Sequence, residues 1–330
     1  MLGTKTELRV IAATLLAAVI VATPLVGASA STTPYPLTVQ FLSEKFINGR
    51  TLDGFTAGTP DYGFTIEAML QLKAGGKKLT DQLVAVKANL ADSTVLSRSI
   101  VSNYAYDANK KVKPGLAGKF LVASVAIGVP NAPLRNSVVS DLKNAISGNG
   151  VIESAAGNSF DYAWAILGLA AAGQTKLANI AAVRLASLER PDGGFGMDQT
   201  GDTLKSSPDA TGIALQALAL AKRSGTNGQI AIEQKALVSA SKYLRSTELS
   251  GNHWESWGDV DVNGTAYAAM GLKAAGANIS SIQDWLKSQL APAGGLMTPW
   301  SNGSGDTFAT AQGYVALLGL SYLNLLPVKK

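Results

Sequence analysis

Hydrophobic and polar positions follow two alternating patterns along the chain. In one kind of segment, apolar residues recur at i, i+3 and i+4 with charged or polar residues between them. This spacing is typical of a helix with one solvated face. The other kind is apolar nearly all round, as in Asp209–Ala221, and a helix of that composition is buried. We therefore expect amphipathic outer helices that cover apolar inner helices.

Short loops rich in Gly, Pro and Asp separate each outer segment from the inner segment that follows it. The predicted outer helices are Pro36–Ile47, Thr80–Leu90, Asn136–Ser147, Thr175–Glu189, Gln229–Thr247 and Ser280–Leu290. The predicted inner helices lie within Asp61–Gly75, Gly118–Gly128, Asp161–Gly173, Asp209–Ala221, Asn263–Gly276 and Asp306–Leu320. The inner segments start 57, 43, 48, 54 and 43 residues apart, and such periods indicate one repeated supersecondary unit.

The six helical hairpins either stack in a line or close into a ring. A linear stack requires polar capping repeats at both ends. The last predicted helix, Phe308–Leu326, is as apolar as the middle ones, so it needs a partner that the first hairpin can supply. The sequence therefore predicts an all-α fold, an α/α toroid of six inner and six outer helices.

Polar residues and glycines mark the expected ends of the inner helices. Asp and Asn are preferred N-caps because their side-chain oxygens accept the free N–H groups of the first turn. We expect this role for Asp61, Asp161, Asp209, Asn263 and Asp306. Glycine is the usual left-handed residue after a helix, and we expect it at Gly75, Gly128, Gly173 and Gly276.

Residues 1–30 have the pattern of a secretory signal peptide. Basic residues Lys5 and Arg9 precede an apolar stretch, and Ala28-Ser-Ala30 gives a cleavage site of small residues. We expect a mature chain of residues 31–330 that forms one toroid domain, either secreted or on the extracytoplasmic face of the cell envelope. The alternative is an uncleaved membrane anchor, since the apolar run approaches the roughly 20 residues that a span needs.

Composition excludes several kinds of site. The chain has no cysteine and one histidine, which removes disulfides, thiolate metal sites and cysteine nucleophiles. We expect no metal and no cofactor. The net charge of +5 is spread out, and its densest cluster, Lys110-Lys-Val-Lys113, is too small for a nucleic-acid footprint. We expect a monomer with no nucleic-acid partner.

Two stretches resemble the repeat of the prenyltransferase/squalene-oxidase proteins. Leu188-Glu-Arg-Pro-Asp-Gly-Gly-Phe-Gly196, followed by Asp209-Ala-Thr-Gly-Ile-Ala-Leu, is similar to the loop and inner helix of that repeat. Asp261-Val-Asn-Gly-Thr-Ala and Asp306-Thr-Phe-Ala-Thr-Ala repeat its second half. The resemblance covers about residues 35–325 and is greatest to exported bacterial repeat proteins. It implies the fold of terpene cyclases, protein prenyltransferases, complement thioester domains and the cobalamin carriers intrinsic factor and transcobalamin.

The functions that this resemblance implies must be tested residue by residue, because function does not follow from fold. The zinc site of protein prenyltransferases and the thioester need a cysteine, which this chain lacks. The Asp-x-Asp-Asp acid of type II cyclases is incomplete, since Asp259-Val-Asp261 is followed by Val262. The cobalamin carriers need no catalytic residue, but they add a C-terminal β-domain that has no counterpart before Lys330.

The densest polar and aromatic patch lies between His253 and Asp261. Its carboxylates Glu255, Asp259 and Asp261 are the candidate catalytic residues, because two separated carboxylates can act as acid and base on a glycosidic bond. Its indoles, Trp254 and Trp257, suit ligand contact. The alternative is a structural loop whose tryptophans plug the end of the ring, with Asp261 or Asn263 capping the next helix.

Aromatic side chains recur in the first turns of the inner helices. They offer an apolar body with a polar tip and therefore suit a ligand pocket, although an ordinary packed core uses them equally well. The candidate ligand-binding residues are Tyr62, Tyr162, Trp164, Tyr267 and Tyr314 together with Trp254, Trp257 and Trp300.

The sequence thus favours non-catalytic binding of a small amphipathic or apolar ligand, or of an extracellular or envelope protein. The alternative function is an enzyme acting on an isoprenoid or a carbohydrate through the His253–Asp261 loop. A third interpretation is an envelope scaffold without a ligand.

Overall fold

Eleven α-helices account for most of the regular structure in the part of the chain that the computed structural model describes. That part is residues 35–327 without 48, 50, 55, 59, 77–104, 107–108, 110, 129–131, 198–204 and 257. The helices are α1 (Pro36–Glu44), α2 (Tyr62–Ala74), α3 (Pro114–Ile127), α4 (Ala132–Asn144), α5 (Ser159–Ala171), α6 (Thr175–Ala186), α7 (Pro208–Ala221), α8 (Asn227–Thr247), α9 (Val262–Ala274), α10 (Ser280–Ser288) and α11 (Thr307–Leu317). The predicted signal segment and the predicted helix Thr80–Leu90 lie outside the described residues.

The fold is an α/α toroid, as the sequence predicts. Helices α2, α3, α5, α7, α9 and α11 are the inner helices, and each contacts the next around the ring. Helix α11 contacts α2, which closes the ring. The described outer helices α1, α4, α6, α8 and α10 cover it.

Two helix pairs in the ring approach so closely that only glycine fits between them. A Cβ atom on Gly118 of α3 would overlap the carbonyl group of Trp164 on α5, and Gly168 of α5 faces Gly118. Gly212 of α7 and Gly271 of α9 repeat this arrangement two helices further on. Glycines therefore allow these two pairs of neighbouring inner helices to pack backbone against backbone.

The first turns of the inner helices differ in part from the expectation. Asp61, Asp261 and Asp306 are N-caps and accept from the N–H groups of Phe64, Gly264 and Ala309 at 2.9, 2.7 and 2.8 Å. The prediction was wrong for three other residues, because α5 is capped by Asn158, α7 by Ser207 and α9 by Asp261. Asp161, Asp209 and Asn263 lie inside the first turn and are not N-caps.

A threonine four residues after the cap ties each of four loops to its inner helix. Its hydroxyl oxygen accepts a hydrogen bond from the N–H group of a buried loop residue. The pairs are Thr65 with Leu52 (2.9 Å), Thr211 with Phe195 (2.9 Å), Thr265 with Trp254 (3.0 Å) and Thr310 with Leu296 (2.9 Å). In α5 the hydroxyl of Tyr162 accepts from the N–H group of Ile152 at 2.7 Å.

Two short antiparallel β-hairpins lie in the loops that precede α2 and α9. Strand β1 (Leu52–Asp53) pairs with β2 (Pro60–Asp61), and β3 (Glu255–Ser256) pairs with β4 (Asp259–Val260). Each hairpin ends directly before an inner helix, so it orients the first turn of α2 or α9.

The chain end differs from the prediction of one helix over Phe308–Leu326. Helix α11 stops at Leu317, and Gly319 has a φ of +69°. A 3₁₀ segment, Tyr322–Leu325, then folds back into the ring. The N–H group of Tyr322 donates to Gln216 Oε1 at 2.9 Å, and its ring packs 5.3 Å from that of Trp164. The ring interior is thus filled from its far end.

Among the predicted C-terminal glycines, Gly128, Gly173 and Gly276 have positive φ and confirm the expectation. Gly75 has a φ of −65°, and the left-handed residue is Gly76. Within the described residues, no helix combines the length and the apolar character required to span a membrane.

Candidate functional site

The first turns of the inner helices meet at one end of the ring, which we name the mouth. The described outer helices α4, α6, α8 and α10 each return the chain, so the inner helices that they join run in the same direction. The second residues of the inner helices form what we name the mouth layer: Gly63, Gly115, Phe160, Asp209, Asn263 and Phe308. The residue four positions after each mouth-layer residue lies on the same face of its helix, one turn deeper in the ring. We name these residues the floor layer: Glu67, Lys119, Trp164, Ile213, Tyr267 and Gln312.

Glu67 is the hub of the floor layer. Its side chain is 1% exposed, and Oε1 accepts from Lys119 Nζ at 2.8 Å and from the Tyr267 hydroxyl at 2.5 Å. Its other oxygen accepts from Gln312 Nε2 at 2.7 Å. Four inner helices therefore meet at one carboxylate through charge-assisted hydrogen bonds.

Tyr267 is held in its donating form beside Glu67. Burial, followed by the charge of Glu67, raises the pKa of Tyr267 well above its ordinary value. Lys119 is 7% exposed, and its ammonium group lies 5.1 Å from the ring centre of Trp164. A buried ion pair is tolerated when further hydrogen bonds satisfy it, and this one has them.

The mouth layer above this floor combines aromatic and polar side chains. Phe160, Asn263 and Phe308 are each half-buried. The aromatic ring centres of Phe160 on α5 and Tyr267 on α9 are 5.6 Å apart. Asn263 Nδ2 donates a hydrogen bond to Gln312 Oε1 at 2.5 Å. A continuous hydrogen-bond chain therefore leads from the half-exposed Asn263 down to the buried Glu67.

Asp209 supplies a carboxyl group to the mouth layer. Its Oδ1 accepts from the N–H group of Ala210 at 2.8 Å. Burial is the main cause that raises its pKa above the ordinary value, and the charge of Asp261 adds to the effect. Asp161 follows the mouth-layer residue Phe160 on α5, and burial raises its pKa too. The positive charge of Lys119 partly opposes this increase.

The raised pKa of Asp209 predicts a pH dependence of stability. The folded chain keeps this proton to a higher pH than the unfolded chain, so the resulting stabilisation is present at acid pH and lost as pH rises through the folded pKa. Asp209→Asn is therefore expected to gain stability relative to wild type with rising pH. Urea unfolding from pH 4 upward measures this. A constant difference, matching that of the exposed control Asp259→Asn, contradicts the assignment.

Most of the aromatic residues predicted to bind a ligand are packed in the core. Tyr162, Trp164, Trp254, Tyr267 and Tyr314 are buried. Tyr62 is half-buried at the start of α2, and Trp300 is 70% exposed in the last loop. Trp257 lies outside the described residues. Of the predicted set, Tyr267 and Trp164 belong to the floor layer, and their contact with a ligand stays a prediction.

The predicted catalytic residues of the His253–Asp261 loop are not gathered at one point. Asp261 caps α9 and accepts from the Ser256 hydroxyl at 2.6 Å. Glu255 and Asp259 are exposed on β3 and β4. His253 stacks on Trp285 with ring centres 4.9 Å apart. The catalytic role of this loop stays a prediction.

Sequence reasoning missed Glu67, Lys119, Phe160 and Gln312. The signal for Glu67 and Lys119 was available, because a charged residue in a helix that is apolar nearly all round is buried only with a partner. Within the described residues, no group of three or more His, Cys, Asp or Glu side chains is placed to hold a metal ion.

Solved structures share this architecture at low sequence identity. The apo form of the type II terpene cyclase MstE from Scytonema superposes with a TM-score of 0.59 at 15% identity, covering 86% of this chain and 96% of that one. Haptocorrin in complex with Cbi gives 0.57 at 12%, covering 88% and 67%.

An unsaturated glucuronyl hydrolase from Bacillus sp. GL1, described as responsible for the degradation of glycosaminoglycan, gives a TM-score of 0.57 at 13% identity, covering 86% and 94%. No protein-family model and no curated protein matches the sequence. The similarities show that this chain shares the α/α toroid fold with a type II terpene cyclase, haptocorrin and an unsaturated glucuronyl hydrolase.

Proposed function

We propose that this chain is a non-catalytic binding protein that holds a small amphipathic molecule at the mouth of its ring. The observation that carries the proposal is the mouth layer, in which half-buried Phe160 and Phe308 stand beside the polar Asn263 and Asp209. Gly63 and Gly115 add no side chain at the same level. An apolar platform with a few convergent polar groups is the common composition of a small-molecule site.

The floor layer supports binding rather than turnover. Both oxygens of Glu67 accept strong hydrogen bonds, and Lys119 and Tyr267 are committed to that carboxylate. Groups in such a network are preorganised and costly to displace. A ligand above them meets a rigid surface, with the half-buried Asn263 and Gln312 as its polar end.

Loss of the Phe160 ring tests the proposed site. The probe is 1-anilinonaphthalene-8-sulfonate, an amphipathic molecule that fluoresces in apolar sites. Phe160→Ala is expected to weaken probe binding by about 10-fold, because an aromatic contact surface is removed. The matched control is Ile232→Ala, which removes an exposed side chain of the outer helix α8. Unchanged binding by Phe160→Ala, with native circular dichroism, contradicts the proposal.

A second candidate function, an enzyme acting on an isoprenoid or a carbohydrate, rests on Asp209. Burial raises the pKa of this carboxyl at the mouth, and a carboxylic acid kept protonated is what a general acid requires. Turnover of any extract component by wild type but not by Asp209→Asn would favour this candidate over binding alone.

A further inference from the structure

Glu233, on the outer helix α8, is a buried carboxyl group. Its side chain is 0% exposed, and neither carboxylate oxygen has a hydrogen-bond partner among the residues that the structure describes. Such a group is costly, and an unsatisfied buried polar group in a folded protein calls for a bound water or ion.

Asn179, on α6, supplies a third oxygen without a hydrogen bond in the described part of the chain. Asn179 is 2% exposed, and its Nδ2 donates to Ser224 Oγ at 3.3 Å, whereas its Oδ1 is the unsatisfied atom. A Cβ atom placed on Gly225 would lie 3.4 Å from Glu233 Oε2. Because Ser224 and Gly225 are consecutive, the carboxylate and the amide flank the same short segment.

The position of this segment favours a cation. Lys222–Ser224 directly follows α7, and the C-terminus of a helix carries negative partial charge and carbonyl groups without intrahelical donors. The nearby Lys222 does not fill the gap, since its Nζ donates to Gln234 Oε1 at 2.7 Å. Ser224 is exposed and provides access from solvent.

We propose that Glu233 and Asn179 bind a monovalent cation of the sodium or potassium class. The atoms that would coordinate the cation, the two carboxylate oxygens of Glu233 and the amide oxygen of Asn179, are all oxygens, which suit hard cations. One carboxylate supplies a single negative charge, and the positive charge of Lys222 lies nearby. A divalent ion, whose affinity rises with the number of charged ligands, is therefore disfavoured.

Thermal unfolding of the full chain at pH 8 tests the site. Burial raises the pKa of Glu233 to about 7, so its carboxylate is ionised at that pH. The melting temperature is compared in sodium, potassium and N-methylglucamine chlorides at about 0.15 M, where surface charges are screened equally. We expect sodium or potassium to raise it by about 2–4 °C over N-methylglucamine, which is too large to enter.

Three variants test which residues produce the response. Glu233→Gln is expected to abolish it, and the matched control Glu255→Gln, which alters an exposed carboxylate on β3, is expected to keep it. Lys222→Met should enlarge it, because a competing positive charge is removed. Equal melting temperatures in the three salts, a response that survives Glu233→Gln, or a response to calcium alone would overturn the proposal.

Sodium-23 line width provides a second readout that does not depend on the stability of the variant. Wild type is expected to broaden the sodium resonance, and potassium is expected to reverse the broadening by competition. Absence of broadening by folded wild type would contradict a site for this ion.

Discussion

Replacing Gly118 by alanine is expected to destabilise the ring by more than about 3 kcal/mol, or to prevent folding. The added Cβ atom would overlap the backbone carbonyl of Trp164 on the neighbouring inner helix, where no flexible side chain can move aside. Helices α3 and α5 would have to separate, and the ring transmits that separation to the other helices. Chemical unfolding monitored by circular dichroism measures the loss.

The matched control for this change is Gly228→Ala on α8. A Cβ atom at Gly228 meets nothing within 4 Å, so the substitution is expected to be neutral or to stabilise by about 0.4–1 kcal/mol through the unfolded chain. Similar unfolding free energies for the two variants would show that the close approach of α3 and α5 is not required.

Replacing Lys119 by methionine is expected to cost about 3–5 kcal/mol of unfolding free energy. The change leaves Glu67, which is 1% exposed, with the hydrogen bonds from Tyr267 and Gln312 but without its positively charged partner. The double variant Glu67→Gln/Lys119→Met removes both charges and is expected to recover most of the loss. Urea unfolding of the four proteins in this cycle gives the coupling energy.

The partly exposed ion pair between Arg245 and Glu248 provides the comparison. Its N···O distance is 2.7 Å, close to that of the buried pair, but the Arg245 side chain is 38% exposed. Glu248→Gln is therefore expected to cost less than about 1 kcal/mol. A loss at Lys119→Met no larger than this would mean that the floor network does not hold the ring together.

The fold was predictable because its signal is local and repeated. Each turn-rich loop, each apolar helix and each outer helix with one apolar face can be recognised without knowing its neighbours. Ring closure followed from the apolar last helix, although that helix ends at Leu317 and the segment after it fills the ring. Gly319 carried the signal for this break.

The N-caps of α5 and α7 could not be predicted from residue type alone. Asp161 and Asp209 have the residue type of an N-cap, but Asn158 and Ser207 upstream have it too. Which residue caps the helix depends on where the loop leaves the preceding turn. The carboxyls that are not caps remain in the first turn, and their raised pKa values follow from burial that the sequence does not display.

The site was less predictable than the fold. Glu67 and Tyr267 are separated by 200 positions, and their contact depends on the register of all six inner helices. The aromatic residues chosen from sequence do follow the inner helices, but whether a ring of this kind is open or packed depends on Tyr322, which arrives from the far end. Export through residues 1–30 stays a prediction of the sequence.

Native mass spectrometry of residues 31–330, after exposure to an extract of the producing cells and their medium, tests whether the mouth binds a small molecule without turnover. We expect a stoichiometric small-molecule adduct on wild type, a reduced adduct on Phe160→Ala, and no extract component consumed. A clean apo mass for wild type, or consumption of a component that Asp209→Asn abolishes, would contradict non-catalytic binding at the mouth.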